Sequence, residues 1–200
     1  MLKRIFDLIF STLGLILLSP FFIFLAIAIK MESDGPIFYR GVRIGRHGQP
    51  FKIFKFRSMV QNAEKIGAAS TSLSDSRVTR TGKIIRNYKL DEFSQLINVV
   101  FGNMSLVGPR PEVQKFVDQY TEEEKIILTI RPGITDFASI KFHNEGEIIE
   151  TSGIEDADEA YAKLIRPEKL KLQIKYVKEQ NIFLDIKLIF KTLHRIIYKN

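Results

Sequence analysis

The sequence lacks the residues on which several kinds of site depend. It has no cysteine among 200 residues, which excludes thiolate nucleophiles, disulfide frameworks and cysteine-based zinc or iron–sulfur sites. Its three histidines, His47, His143 and His194, are scattered along the chain and show no metal-ligand spacing. The glycines form neither a G-x-G-x-x-G pattern nor a P-loop, so a Rossmann or Walker nucleotide site is disfavoured.

The size and charge of the chain indicate a globular protein with an anionic partner. Hydrophobic residues make up 45% of the chain and charged residues 26%, which is an ordinary globular balance. The 30 basic and 23 acidic residues give a formal charge of +7. A basic surplus of this size favours nucleic acid, anionic lipid or a phosphorylated substrate as the partner.

An apolar segment near the start is long enough for the hydrocarbon core of a bilayer. Residues 8–29 carry no charge and would form a helix of about 33 Å. No A-x-A-like site follows it, which argues against a cleaved signal peptide. Pro20 interrupts the helical hydrogen bonds at its centre, and the Ser19 hydroxyl can satisfy the carbonyl that this break frees. Because basic residues flank both ends, the residues alone leave a spanning helix and a re-entrant helix open.

The rest of the chain predicts an α+β fold that is mainly helical. Residues 37–44 and 51–57 are rich in β-branched and aromatic side chains and flank a turn-forming stretch, which indicates a small β-hairpin. Residues 67–82 are small and polar, and we interpret them as a mobile loop. Apolar residues at helical spacing predict a helix over 90–100. We therefore expect a membrane helix at residues 1–33 and a catalytic domain at residues 34–200.

The C-terminal region has a helical pattern from Tyr161 to Lys199 and mixes apolar residues with many lysines. Its apolar residues are too dense for a nucleic-acid-binding stripe. An amphipathic helix that lies on anionic lipid fits this composition better.

The pair Asp91 and Glu92 is the first candidate for chemistry. Both residues fall in the first turn of a predicted helix, where negative charge is favourable even without any function. Adjacent carboxylates also suit a hard cation such as Mg²⁺, and a carboxylate can attack phosphorus as a nucleophile. Asp91, Gln95 and Asn98 share the helix face opposite the apolar stripe.

Several basic residues are candidates for binding phosphate. Arg110 stands between two prolines that restrict the backbone, so its guanidinium can grip a phosphate at two points. The alternative is a rigid surface turn in which Arg110 pairs with Glu112. Lys55 and Arg57 lie two apart on a predicted strand, so both side chains would point to one face and could bind phosphate there. The alternative is that this face is only exposed to solvent. The predicted phosphate-binding residues are Lys55, Arg57, Arg77, Arg80, Arg86 and Arg110.

The chain also carries an ordered series of short motifs. They are Lys3-Arg4-Ile5-Phe6-Asp7, Ser19-Pro20, Phe54-Lys55-Phe56-Arg57-Ser58-Met59, Arg77-Val78-Thr79-Arg80-Thr81-Gly82, Leu90-Asp91-Glu92, Gln95-Leu96-Ile97-Asn98-Val99, Gly102-Asn103-Met104-Ser105-Leu106-Val107-Gly108-Pro109-Arg110-Pro111 and Arg131-Pro132-Gly133-Ile134-Thr135. Each motif alone is weak, whereas the ordered series is specific. The series resembles the bacterial sugar transferase family, the monotopic phosphoglycosyl transferases, over nearly the whole chain.

This resemblance implies an enzyme that moves a sugar 1-phosphate from a UDP-sugar to a polyprenol phosphate, typically undecaprenyl phosphate, and releases UMP. The family works through a phosphosugar on an aspartate, which matches Asp91, with Glu92 as the second carboxylate. It uses Mg²⁺, for which Asp91 and Glu92 are the expected ligands. The reaction would initiate synthesis of a surface glycan.

The resemblance also implies a location. The N-terminal helix of the family is re-entrant, and its break matches Ser19-Pro20. The protein would then be monotopic on the cytoplasmic face of the bacterial inner membrane, with both helix ends in the cytoplasm. Because the chain lacks the additional N-terminal transmembrane helices of larger members, it resembles the minimal catalytic-domain form.

The chain departs from the family pattern beyond Thr135. Residues 136–138 read Asp-Phe-Ala where many members have Gly followed by Trp or Leu, and residues 142–147 differ from the commoner Asn-Gly-Arg pattern. We expect this region to contact the sugar or the nucleotide, so the resemblance does not identify the sugar. The sequence also leaves the formation of a homo-oligomer open.

Two other functions remain open at this point. One is a membrane-anchored basic module without enzymatic activity that binds anionic lipid or nucleic acid. The other is a related enzyme that attaches a different phosphorylated head group to a lipid. Release of UMP would separate the first from a transferase, and substrate profiling would separate the second.

Overall fold

A computed structural model describes residues 1–63 and 75–198 of the chain. Helices occupy most of this part and the sheets are small, which confirms the predicted fold class. The helices are α1 (Leu2–Glu32), α2 (Arg80–Asn87), α3 (Leu90–Phe93), α4 (Leu96–Val100), α5 (Gln114–Val117), α6 (Phe137–Lys141), α7 (Glu145–Thr151), α8 (Ala157–Ala160), α9 (Arg166–Glu179) and α10 (Ile182–Tyr198). Short 3-10 turns cover Arg46–Gly48 and Glu124–Thr129, and a π-helical turn covers Tyr161–Ile165.

The strands form three two-stranded sheets in the described part of the chain. They are β1 (Phe38–Tyr39), β2 (Val42–Ile44), β3 (Pro50–Lys52), β4 (Lys55–Phe56), β5 (Ser105–Val107) and β6 (Gly133–Thr135). Strands β2 and β3 pair antiparallel, and β1 and β4 continue the same pairing further from the turn. The predicted hairpin is therefore confirmed. Strands β5 and β6 pair in parallel, with Ser105 opposite Gly133.

Helix α1 runs without interruption through Pro20. Proline has no N–H to donate to the carbonyl of Ile16, four residues earlier. The Ser19 hydroxyl donates to that carbonyl instead, at 2.8 Å, which confirms the role expected of Ser19. The helix is long and apolar enough to cross a membrane by length and composition, and only 11% of its most apolar window is buried by the rest of the chain.

The first turns of α1 are fastened to the end of α4 and to β5. The Arg4 guanidinium donates to the carbonyls of Val99 and Val100, at 2.6 and 3.0 Å. The buried Asp7 carboxylate accepts the Leu106 N–H of β5 at 3.1 Å. Because main-chain groups of the folded domain take up these charges, the start of α1 is part of that domain rather than a free anchor.

The last turns of α1 pack against the same domain. Leu25 and Ile29 form a buried cluster with Phe56 of β4 and Ile85 of α2. The Glu32 carboxylate accepts the main-chain N–H groups of Arg80 and Thr81, at 2.7 and 2.9 Å. Both ends of α1 therefore contact the folded part of the chain.

Only part of the predicted loop over residues 67–82 can be compared with the structure. Residues 67–74 lie outside the described residues. The prediction is wrong for residues 80–82, which form the first turn of α2. Thr79 caps that turn, because its hydroxyl accepts the Gly82 N–H at 2.9 Å, and a cap of this kind stabilises a helix start whose composition alone suggests a loop.

The predicted helix over 90–100 is present as α3 and α4, joined by Ser94 and Gln95 in helical conformation. Its polar face is buried: Gln95 and Asn98 are at most 1% exposed. The Asn98 side chain accepts the Phe54 N–H at 2.7 Å and donates to the Lys52 carbonyl at 3.0 Å. These bonds attach the hairpin to the helix that carries the carboxylate pair.

Candidate active site

Four charged side chains meet where α3, β4 and the turn after β5 come together. The Lys55 ammonium lies 3.1 Å from Asp91 Oδ2 and 3.4 Å from Glu92 Oε1. The Arg110 guanidinium donates to both carboxylate oxygens of Glu92, through Nη1 to one of them at 2.8 Å and through Nη2 to the other. Lys55, Asp91, Glu92 and Arg110 are hereafter the charge cluster. The structure thus brings together two predicted catalytic carboxylates and two predicted phosphate-binding residues.

The Arg110 side chain points toward Glu92 because the turn after β5 that carries it is fixed on both sides. A Cβ on Gly133 would lie 2.0 Å from the Gly108 nitrogen, so only glycine allows β5 and β6 to approach this closely before the turn. On the far side of the turn, the buried Glu112 carboxylate binds the Lys169 ammonium at 3.0 Å and the Tyr161 hydroxyl. Since Glu112 is taken up by these partners, Arg110 pairs with Glu92, and the alternative Arg110–Glu112 pair is wrong.

The charges of the cluster fix the ionisation of Glu92. Burial by itself would raise the pKa of its carboxyl group, but Arg110 and Lys55 outweigh burial and hold the pKa well below its ordinary value. Burial likewise lowers the pKa of Arg110, and Glu92 more than compensates, so the pKa of Arg110 is raised. Glu92 is therefore a carboxylate at neutral pH and poorly suited to hold a proton.

Asp91 has one carboxylate oxygen in contact with Lys55 and one that has no partner among the residues that the structure describes. Oδ1 is buried and accepts no hydrogen bond, and an unpartnered buried carboxylate oxygen is costly unless a ligand completes it. A Mg²⁺ ion suits such an oxygen, because Mg²⁺ is held by one or two carboxylates together with substrate phosphates and water. Within residues 1–63 and 75–198, no group of three or more acidic or histidine side chains could hold a metal alone.

Arg57 does not join the charge cluster. Its guanidinium is buried and donates to the carbonyls of Ser33 and Asp34, at 2.7 and 2.8 Å, just beyond α1. The expectation that Lys55 and Arg57 serve one face is wrong, because β4 ends at Phe56 and the chain turns Arg57 toward α1. Arg57 fastens the end of α1.

The remaining predicted phosphate-binding residues lie around α2. Arg77 forms an ion pair with Asp75 at 2.6 Å and donates to the Ala63 carbonyl at 2.9 Å. Arg86 lies within electrostatic range of the same Asp75, and Arg80 is exposed at the first position of α2. Phosphate binding by Arg77, Arg80 and Arg86 stays a prediction.

The sequence patterns do not single out one residue that lies beside the cluster. Lys89 precedes Leu90 at the start of α3 and has a left-handed backbone, with φ 54° and ψ 24°. It lies within electrostatic range of Glu92, Arg110, Asp91 and Lys55. In the sequence, the feature that could have drawn attention to this residue is a basic side chain two positions before Asp91.

Comparison with known proteins assigns relatives to the chain. The family model described as "Bacterial sugar transferase" matches residues 1–199. The chain is 37% identical to the UDP-N-acetylgalactosamine-undecaprenyl-phosphate N-acetylgalactosaminephosphotransferase of Aeromonas hydrophila, over 98% of this chain and 44% of that protein. It is 37% identical to the UDP-glucose:undecaprenyl-phosphate glucose-1-phosphate transferase of Klebsiella pneumoniae, over 96% of this chain and 39% of that protein.

A third relative is matched over most of its length. The chain is 31% identical to the exopolysaccharide production protein ExoY of Rhizobium meliloti, over 96% of this chain and 84% of that protein. The chain thus spans less than half the length of the Aeromonas and Klebsiella proteins and most of the length of ExoY.

Proposed function

The chain belongs to the bacterial sugar transferase family, and from this premise we propose that it transfers a sugar 1-phosphate from a UDP-sugar to undecaprenyl phosphate and releases UMP. The charge cluster carries the proposal, because it joins a nucleophile, a second carboxylate and two cations in one site. The Aeromonas and Klebsiella relatives are named for different sugars at the same identity of 37%. The sugar is therefore a matter for experiment.

The proposed reaction has two displacements at one phosphorus atom. The Asp91 carboxylate attacks the phosphorus that carries the sugar, and the bond from this phosphorus to the bridging oxygen breaks, so that UMP leaves with that oxygen. The sugar phosphate is then an acyl phosphate on Asp91. An oxygen of undecaprenyl phosphate attacks the same phosphorus, the acyl phosphate bond breaks, and the Asp91 carboxylate is restored.

Lys55 and Arg110 supply the positive charge that such a displacement needs. Phosphoryl transfer depends mainly on positioning and on neutralising charge at the oxygens around phosphorus. Both cations are bound to carboxylates of the cluster, and the diphosphate of a UDP-sugar offers them competing oxygens. The planar fork of Arg110 suits two oxygens of one phosphate as well as it suits Glu92.

The cluster also fits the expected Mg²⁺ ion. Asp91, with its unpartnered Oδ1, and Glu92 would hold the ion together with oxygens of the diphosphate. When bound, the ion would neutralise negative charge on the departing phosphate.

Removal of divalent metal is expected to stop the reaction. The two cations of the cluster are already balanced by two carboxylates, so they leave the charge of the diphosphate largely uncompensated. UMP release measured in excess chelator should fall to background and return when Mg²⁺ is restored. Full activity in chelator would remove the metal from the account.

We place the enzyme at the cytoplasmic face of the membrane. We propose that α1, which is one continuous helix in the structure, bends at Pro20 in the membrane, so that it enters one leaflet and returns. A helix of 31 residues is about 46 Å long. If it spanned the membrane, its two ends would lie on opposite sides and could not both contact the same folded domain. Support comes from Lys3, which is paired with Asp185 of α10 near one end, and from Glu32, which caps α2 at the other. On α10, the exposed Phe183 and Phe190 alternate with exposed lysines, which suits a surface of anionic lipid.

Both ends of α1 are expected to face the cytoplasm. Because the chain has no cysteine, single variants Leu2→Cys and Met31→Cys each create one exposed thiol near an end of α1. A membrane-impermeant reagent should label neither in intact cells and both in inverted vesicles, as it should the control Tyr198→Cys on α10. Labelling of one end in intact cells would contradict this topology. Pro20→Ala, which restores the missing N–H, should move part of the population to a spanning form.

A panel of UDP-sugars tests the proposed function directly. The purified protein, in detergent with Mg²⁺ and undecaprenyl phosphate, is given each UDP-sugar in turn, and UMP is measured. We expect release with at least one UDP-sugar and none without enzyme. No release across the panel would favour the non-enzymatic membrane module, and release of a different nucleotide or head group would favour the related head-group enzyme.

A further inference from the structure

We propose that a surface of arginines and aromatic rings beside the start of α1 binds the phosphate head groups of anionic phospholipids. Its members, hereafter the basic-aromatic surface, are Arg4, Arg40, Phe54, Phe101 and Arg131. The surface is separate from the charge cluster: Asp91 lies near the beginning of the segment formed by α3 and α4, and Phe101 directly follows its end. The inference rests on the membrane placement of α1 and not on the transfer reaction.

One half of the surface is a stack of two rings and a guanidinium group. The Arg40 guanidinium lies over the Phe54 ring, with Cζ 3.4 Å from the ring centroid. The centroids of the Phe54 and Phe101 rings are 6.3 Å apart. Arg40 is exposed, and Phe101 is 69% exposed. A single exposed ring needs no explanation, but here it continues a row of contacts that brings an arginine to the same face.

The other half of the surface meets at Gly102, the residue after Phe101. The Arg131 Nε donates to the Gly102 carbonyl at 2.8 Å. A Cβ on Gly102 would lie 3.4 Å from Nη2 of Arg4, whose guanidinium holds the two carbonyls at the end of α4. Main-chain groups therefore fix both guanidinium groups beside the exposed ring of Phe101.

The positive charge of this surface is not balanced by carboxylates in contact with it. Among residues 1–63 and 75–198, none of its three arginines forms an ion pair. Asp7 acts on Arg131 electrostatically, but its buried carboxylate accepts the Leu106 N–H. Burial and the charges of Arg4 and Arg46 lower the pKa of Arg131 in spite of Asp7. Unbalanced positive charge of this kind suits an anionic ligand.

The position of the surface favours lipid head groups as this ligand. Arg4 lies in the first turn of α1, which we place where the helix enters the membrane. Arginines at this level are attracted to anionic lipid, and aromatic rings collect at the boundary between head groups and hydrocarbon. Single-stranded nucleic acid also binds arginines and exposed rings, but it would have to approach the face that the membrane covers.

Tryptophan fluorescence can test this contact, because the chain contains no tryptophan. Phe101→Trp reports on the surface. Leu17→Trp, at a position of α1 that is 69% exposed, reports on insertion of the helix. Glu122→Trp, at an exposed position of the acidic stretch 122–124, reports on a face in water. Each full-length protein is reconstituted into vesicles of phosphatidylcholine, with or without phosphatidylglycerol, whose brominated acyl chains quench tryptophan.

We expect quenching of Leu17→Trp in both kinds of vesicle and none of Glu122→Trp. Quenching of Phe101→Trp should increase when phosphatidylglycerol is present. In the Phe101→Trp protein, Arg40→Gln should lower the ratio of docked to undocked protein, taken from the quenched fraction, by about 5-fold. Arg40→Lys keeps the charge and should retain most of the quenching. Lys125→Gln, which removes an exposed positive charge beside Glu122, should change nothing.

The other outcomes contradict the inference in separate ways. If Leu17→Trp is quenched and Phe101→Trp is not, α1 is in the membrane and the inference is wrong. It is also wrong if quenching of Phe101→Trp depends neither on phosphatidylglycerol nor on the charge of Arg40. Without quenching of Leu17→Trp, the membrane placement fails and the inference with it.

Two further measurements keep the alternatives apart. A fluorescence change of Phe101→Trp in detergent on addition of a single-stranded oligonucleotide, with no quenching in vesicles, would assign the surface to nucleic acid and overturn the inference. UMP release by the same proteins tests the proposed function independently. A protein that is quenched as expected and releases no UMP would contradict the proposed function and leave the inference standing.

Discussion

Asp91→Asn is expected to abolish transfer, with UMP release reduced by at least about 10⁴-fold. The amide is nearly isosteric with the carboxylate but is a very poor nucleophile, so the first displacement cannot begin. The substitution also removes the charge that holds Lys55 at 3.1 Å. The measurement is steady-state UMP release with the UDP-sugar that the panel identifies, together with the Tm of each protein.

The control for this result is Asp118→Asn, which changes an exposed carboxylate that contacts Gln114. It should leave both activity and Tm unchanged. If Asp91→Asn keeps more than a tenth of the wild-type rate while its Tm is unchanged, Asp91 is not the nucleophile. Glu92→Gln is a separate test: it keeps the shape of the partner of Arg110 and removes its charge, and severe impairment would show that this charge matters for the reaction.

Arg110→Ala is expected to lower kcat/KM for the UDP-sugar by about 30- to 150-fold, the equivalent of a lost bidentate contact with phosphate worth roughly 2–3 kcal/mol. Arg110→Lys should recover only part of this loss, because an ammonium group cannot bind two oxygens in one plane. Arg46→Ala removes an exposed arginine whose side chain donates to the Thr129 carbonyl, and it should leave kcat/KM unchanged. Equal losses in the two alanine variants would contradict the role of Arg110.

The same substitution is expected to change how stability depends on pH. The pKa of Glu92 is depressed in the folded protein from an ordinary value of 4.5. A depressed pKa stabilises the folded state above the ordinary value, and this stabilisation is lost as pH falls below it. The free energy of unfolding should therefore differ most between wild type and Arg110→Ala near neutral pH, and the difference should shrink below about pH 4.5. A difference that is the same at pH 7 and pH 4 would contradict this account of the pair.

The carboxylate pair and its cations could be predicted from the sequence because their motifs are local. Asp91 and Glu92 follow a helix start, and Arg110 is confined by its neighbouring prolines, so short-range rules suffice. The partner of Arg110 could not be chosen in this way. Glu112 is closer in the chain than Glu92, but Lys169 and Tyr161, both distant in sequence, bind it.

The sequence does not predict which charged side chains form hydrogen bonds with main-chain groups of distant elements. Arg57 looks like a phosphate ligand in sequence, yet it donates to the carbonyls of Ser33 and Asp34. Asp7, for which the sequence predicts no role, also serves the main chain, because its buried carboxylate accepts the Leu106 N–H. Which main-chain groups are left without partners depends on how distant elements pack, and no local pattern records it. The left-handed backbone of Lys89 belongs to the same class of feature.

Mass spectrometry of the enzyme after incubation with UDP-sugar and Mg²⁺, without undecaprenyl phosphate, tests the central claim most directly. The account predicts a mass increase of one sugar phosphate on the peptide that contains Asp91, one equivalent of UMP, and loss of the adduct when undecaprenyl phosphate is added. Asp91→Asn should show no adduct. If no adduct forms and UMP appears only when both substrates are present, transfer is direct and the proposed role of Asp91 as nucleophile is contradicted.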